Sequence, residues 1–323
     1  MKLHFLASAN TGCGFIDNFN SILEPDKNGF CYILKGGPGT GKSTLLKKIG
    51  SYFENKGEDI EYFYCSSDFS SLDGVRIVSK NISIIDGTAP HCKDPNIPNI
   101  SEKIIDLGQF IGDKVKKHQQ KIKVLLSKKQ FEYKLAYSYL SACKTIKDTN
   151  LLICKSKFEQ NLLENYNSVL KKLNLKQQKL GYERKLFINY IQSKTIKSTK
   201  DLNNYTIFYL DFDLYTNMEI LNLLADELRK LNYKFTSFYD IITNTRNAIF
   251  IKDLNLFIDT KNSFENPTIK FNDKIISKLI EKASNSLNSA IKNHKKVEKF
   301  YISAMDFDGI TNLTNKLINT IEK

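Results

Sequence analysis

Residues 33–50 read ILKGGPGTGKSTLLKKIG, in which Gly36, Gly41, Lys42 and Ser43 satisfy the spacing GxxxxGK[ST]. The chemistry this spacing suits is the capture of a triphosphate. Glycines let successive backbone N–H groups turn inward toward phosphate oxygens, and a helix that starts at the loop adds a favourable field. Gly36, Gly37, Pro38, Gly39, Thr40 and Gly41 are expected to form the cradle. Lys42 is expected to reach the β- and γ-phosphates, Ser43 to ligate Mg2+, and Thr44 to touch the α-phosphate.

A second acidic position belongs with the loop. Asp86 ends the apolar run NISIID, where a Walker B carboxylate would hold the metal's water shell. GTAPH follows it, without the neighbouring glutamate that many P-loop ATPases use to activate water. Fast unaided hydrolysis is therefore not expected. Asp68 and Asp73 lie in the loop after the strand IEYFYC and are candidate bases or acceptor-facing carboxylates, or simple turn residues. Thr88 and His91 are candidate sensors of the γ-phosphate. Arg76 is the only arginine before Arg184, so an arginine finger must be Arg76, a residue of the second half, or one from another subunit. No [NT]KxD run is present, which favours ATP over GTP, and no LSGGQ-like run points to a transporter.

These side chains need a sheet to hold them. KLHFLASA, GFCYILKG, IEYFYC and ISIID read as strands, with a helix near Phe15–Leu23 and another from Ser43 to Lys56. Strand and helix alternating in this way predict a parallel sheet flanked by helices. From Gly112 to Gly181 no Gly or Pro interrupts the chain. One helix over that span would be about 100 Å long, so a break at Asp148–Asn150 and an antiparallel hairpin are expected. Ile111, Val115, His118, Ile122 and Leu125 space as a coiled-coil seam.

The pattern then restarts. RKLFINY, YTIFYL, MEILNLLADELRKLN, FTSFYD and LNLFIDT repeat the order of the first elements at an offset of about 173–176 residues. The segment aligned with the glycine loop, LDFDLYTNMEI, has no glycine and no lysine, and Asp211 and Asp213 would repel phosphate. The second copy is expected to be a packing core without the chemistry. Expected boundaries are an intact core at 1–100, a lysine-rich hairpin at 101–183, a degenerate core at 184–272 and C-terminal helices at 273–323.

The arrangement FLASANTGCGF, ILKGGPGTGKSTLLKKI, FYCSSDFSSLDGV and IIDGTAPH is similar to a family of bacterial tandem P-loop ATPase-like, or nucleotide-kinase-like, proteins. The resemblance implies two P-loop cores trailed by helices and nucleotide binding through Gly36–Thr44 and Asp86. It departs from the family in the second half, where the phosphate loop is lost, so one site rather than two is implied.

Charge distribution bounds the partners. The net charge is +13, and residues 101–200 hold 22 basic against 8 acidic groups. Such a surplus could draw nucleic acid or an acidic protein; the solvated faces of amphipathic helices in a lysine-biased chain are the preferred reading. Six cysteines without a CxxC pair and four scattered histidines fit free thiols in a reducing cytoplasm. MKLHFLASAN has an apolar stretch of about five residues, short of the roughly seven a signal peptide needs. The expected function is thus a cytoplasmic Mg–ATP-binding P-loop NTPase with slow or partner-stimulated hydrolysis. The alternatives are a small-metabolite or nucleoside kinase using Asp68 or Asp73, and an ATP-gated binding module.

Overall fold

The computed structural model describes residues 2–24, 28–199, 205–261 and 266–323. Two compact units divide the chain. The first contains Met1–Ser8, Asp17–Ala136 and Ser284–Lys323; the second contains Ala9–Ile16 and Tyr137–Ala283.

The opening strand is β1 (Lys2–Phe5), followed by the two-stranded pair β2 (Ser8–Thr11) and β3 (Gly14–Asp17). The helix expected near Phe15–Leu23 is absent: β3 and a single 3-10 turn, Phe19–Ser21, take its place. Local polar chemistry decides this. Gly14 takes φ +97°, Thr11 Oγ1 donates to the Gly14 carbonyl at 2.7 Å, and Asp17 Oδ1 accepts from Phe19 N at 2.8 Å. Each bond offers the backbone an alternative to a helix.

The loop strand β4 (Phe30–Lys35) leads into α1 (Lys42–Asn55). Then come β5 (Ile60–Tyr64), β6 (Leu72–Ile77), β7 (Ile82–Asp86) and β8 (Glu102–Asp106). The first unit's sheet has the order β1-β5-β6-β7-β4-β8. β1 and β5 are parallel, as are β7, β4 and β8, but β6 runs antiparallel to both β5 and β7. The sheet is therefore mixed, not the parallel sheet expected. β6 escapes a pattern reading because its sequence, LDGVRI, carries Asp73, Gly74 and Arg76, although all six residues are buried. Arg76 is tolerated there by Glu24 at 2.6 Å and Glu61 at 3.1 Å, a buried charge matched by two carboxylates.

After β8, α2 (Gln119–Phe158) runs for 40 residues and α3 (Leu162–Leu173) follows a 3-10 turn at Glu159–Asn161. The helix passes through Asp148–Asn150 without the expected break. Lys144 pairs with Asp148 at 2.6 Å, Thr149 Oγ1 donates to the Thr145 carbonyl at 3.0 Å, and Asn150 accepts from Asn272 at 2.6 Å. The residues that look like breakers have their polar groups satisfied inside the helical conformation. Ile111 also leaves the proposed seam, forming an isolated bridge with Met305, and His118 stacks on Phe300 at 4.6 Å.

The second unit's strands are β9 (Tyr182–Leu186), the pair β10 (Asn189–Gln192) and β11 (Thr195–Ser198), and β12 (Thr206–Leu210). The helix α4 (Leu214–Lys230) is followed by β13 (Lys234–Tyr239), β14 (Arg246–Ile251) and β15 (Leu256–Thr260). Its sheet order is β12-β15-β14-β13-β9, with β14 antiparallel to both neighbours and the outer pairs parallel. This is the first unit's topology strand for strand, without β8. Even a register shift recurs, between Phe63 and Tyr64 in β5 and between Phe238 and Tyr239 in β13.

Two C-terminal helices, α5 (Pro267–Ile302) and α6 (Phe307–Glu322), complete the chain. Each core is closed by a helix that follows the other sheet in sequence. Ile310, Leu317, Ile318 and Ile321 of α6 join Leu45, Ile49 and Phe53 of α1 in the first core. Val169 of α3, with Leu162 and Tyr166, joins Ile220, Leu224 and Leu228 of α4 in the second. Among the described residues, no helix is long and apolar enough to cross a membrane.

Candidate functional site

In the first unit, β4 delivers the glycine loop and β7 lies directly beside it. Leu34 stands opposite Asp86 in the ladder, so the carboxylate is brought to the mouth of the loop by pairing alone. Ile33 and Leu34 are fully buried, which fixes where β4 ends. Gly39 (φ +74°) and Gly41 (φ +85°) take left-handed conformations that turn the chain back into α1. Gly41 is the N-cap of α1 and carries no side chain to accept from the first-turn amides.

Lys42 folds back over this loop. Its Nζ donates to the carbonyls of Gly36 at 2.6 Å and Gly37 at 3.0 Å and lies 3.6 Å from Asp86 Oδ2. Both side chains are nearly enclosed, 12% and 16% exposed. Burial pushes the Asp86 carboxyl above its ordinary range, Lys42 opposes the shift, and nearby Asp73 adds to it. Thr88 braces the arrangement: its N–H donates to Asp86 Oδ1 at 2.8 Å and its hydroxyl to the Gly36 carbonyl at 2.9 Å. Thr40 Oγ1 donates to the Gly37 carbonyl at 2.9 Å. Ser43 Oγ accepts from Leu72 N at 2.9 Å, which orients the hydroxyl, and Thr44 is exposed in the first turn of α1. Lys42 and Thr88 thus join Asp86 to the loop that begins at Gly36.

The other expected site residues are distributed differently. Asp68 accepts from Ser70 N and Oγ at 3.0 and 2.6 Å and pairs with Lys295 at 2.9 Å. Burial disfavours its charge, yet Ser70 and Lys295 outweigh that and hold the carboxyl below its usual range. Asp73 sits within β6 rather than in a loop, buried, with His91 Nε2 at 3.2 Å. His91 is itself buried, stacked on Phe19 at 4.7 Å, with Asp17 at 3.7 Å from Nδ1. Burial opposes the imidazolium, but Asp17 and Asp73 raise the group to about 10. His91 is engaged by these two carboxylates rather than placed as a γ-phosphate sensor. Arg76 is 0% exposed between Glu24 and Glu61, so it is a structural cation and not an arginine finger.

Sequence reasoning missed the contribution of α2 and α5. A Cβ added to Gly37 would come within 3.2 Å of the Tyr301 ring, and one on Gly39 within 2.8 Å of the Glu298 carbonyl. The end of α5 therefore lies on the glycine loop, at a distance only glycine permits. Lys129 of α2 meets His294 of α5 with Nζ and Nδ1 3.0 Å apart. Lys129 is one lysine among many, and more than 200 residues separate the loop from α5, so no local signal marks them.

The second unit shows the same position closed. β12 leads to α4 through a short turn, and Leu210 stands opposite Thr260, where the first unit has Leu34 opposite Asp86. Asp213 caps α4, its Oδ1 accepting from Tyr215 N at 2.9 Å and Thr216 N at 3.1 Å. Asn217 seals the turn by exchanging two hydrogen bonds with the Phe212 backbone. A carboxylate of the protein occupies the helix N-terminus there.

Fold and site together define an α/β protein with two mixed sheets of matching topology, one of which carries a glycine loop with a lysine and a carboxylate. The family model described as nephrocystin 3, N-terminal, matches residues 11–137, a stretch that includes the loop and Asp86. No curated protein and no solved structure matches the chain.

Proposed function

We propose that the first unit is a P-loop NTPase core that binds Mg–ATP at a single site and hydrolyses it slowly or when a partner stimulates it. The observation that carries this reading is internal to the molecule. Two helices begin at equivalent places in two equivalent sheets; α4 is capped by the Asp213 carboxylate, whereas α1 starts at Gly41 with Lys42 and Asp86 beside it. A phosphate chain supplies to α1 the anionic acceptor that Asp213 supplies to α4.

The residues present fit a magnesium-bound triphosphate. Gly36–Gly41 would line the phosphates, Lys42 would exchange its carbonyl partners for phosphate oxygens, and Ser43 with Asp86 would hold the ion and its waters. Magnesium would supply charge neutralisation between the β- and γ-phosphates. No glutamate stands next to Asp86, and that supports slow turnover. Asp68 and Asp73, the acceptor-facing residues of a kinase reading, are already paired with Lys295 and His91.

Calorimetric titration of the whole chain with ATP in millimolar Mg2+ tests the proposal. Lys42→Ala is expected to weaken binding at least about tenfold, the cost of one charge-assisted hydrogen-bonding group. Unchanged affinity in that variant, or no binding by the parent chain, would end the reading.

A further inference from the structure

Beside the glycine loop, one cation of α2 stands apart from the carboxylates that partner its neighbours. Lys129 is half-buried, and among the described residues its ammonium has no carboxylate within ion-pair distance. Its near neighbours are His294 Nδ1 at 3.0 Å and the Tyr133 ring at 5.9 Å. Tyr133 in turn donates to Ser67 Oγ at 2.9 Å, which ties this part of α2 to the segment after β5. His294 Nε2 faces Glu298 Oε1 at 3.5 Å and Lys295 is neutralised by Asp68, whereas Lys129, among the described residues, meets no carboxylate.

Burial and neighbouring charge act on both members of the Lys129–His294 contact. Burial, then Lys129 and Lys42, holds the His294 imidazole down to about 4, with Lys295 adding to them and Asp68 opposing. Burial also lowers the Lys129 ammonium, with Cys65 and Glu298 opposing and Lys42 adding to it. His294 lies one turn before Glu298, whose carbonyl is against Gly39, so the His294–Lys129 contact stands beside the glycine loop. A polyanion at the loop would favour the charge on Lys129.

We propose that Lys129 and His294 form a terminal-phosphate subsite, donated by α2 and α5, that lets the loop distinguish a nucleoside triphosphate from a diphosphate. The subsite rests on the nucleotide-binding reading above and assigns what that reading leaves open, the cation facing the γ-phosphate in a unit whose one arginine is sequestered. Lys129 Nζ would donate to a γ-phosphate oxygen, and His294 would hold the ammonium in place through Nδ1.

The test compares Mg–ATP and Mg–ADP affinities of the full chain for the parent protein, Lys129→Gln and His294→Gln, with Lys129→Arg as the conservative variant. The expected result is a parent that prefers ATP, and a loss of about tenfold in ATP affinity for Lys129→Gln with ADP affinity kept within about twofold. His294→Gln should lose part of that preference and Lys129→Arg should retain most of it. Retained ADP binding reports that each variant is folded. An unchanged ATP-to-ADP ratio in both glutamine variants, or an equal loss for both nucleotides, overturns the subsite while leaving the loop reading intact. A parent chain that binds neither nucleotide overturns both.

Discussion

At the scale of single residues, the first unit separates two kinds of charge by what surrounds them. Arg76 and His91 are buried with matched carboxylates and hold structure, whereas Lys42 borrows carbonyl oxygens from the loop it serves. The His91 pair makes a pH-dependent prediction. Its folded value of about 10 lies above the ordinary unfolded value near 6.5, so the charged pair stabilises fully below the latter. That contribution is lost as pH rises through the window from about 6.5 to about 10. Denaturant titrations should show parent stability falling across this window, and His91→Gln should flatten the slope while costing about 3–5 kcal/mol at neutral pH. A variant with the parent slope would show that the imidazole is not charged in the folded chain.

At the scale of elements, the exchange of helices explains why some features can be read from the sequence and others cannot. β4, α1, β5 and β7 announce themselves, because an apolar run before a glycine loop and a 3.6-residue period after it have few other solutions. Asp86 is legible for the same reason, ending such a run. β6 and β14 are not, since β6 hides a buried arginine and an aspartate in what reads as a turn, and their antiparallel course makes the sheets mixed. α2 misleads in the opposite sense: Asp148, Thr149 and Asn150 look like a break until their side chains are seen satisfied in the helix. Lys129 and His294 meet only through tertiary packing of α2 on α5, which no spacing encodes. The cap of α4 offers a test at this scale. Asp213→Ala should cost about 1 kcal/mol of stability, as the loss of an N-cap does, while leaving ATP affinity at the first unit unchanged. An altered ATP affinity would mean the second unit takes part in binding.

At the scale of the whole molecule, one topology is used twice for different ends. The first copy keeps glycine where the chain must turn and starts its helix at Gly41 without a side-chain cap. The second shortens the turn and caps its helix with Asp213 and seals it with Asn217. The duplication conserves the register of β4 against β7 in β12 against β15, and replaces the Asp86 position with Thr260. The proposed single nucleotide site has a stoichiometric signature. Titrating the intact chain with ATP in millimolar Mg2+ should give one nucleotide per chain, lost in Lys42→Ala. Two nucleotides per chain, or none, would contradict the account.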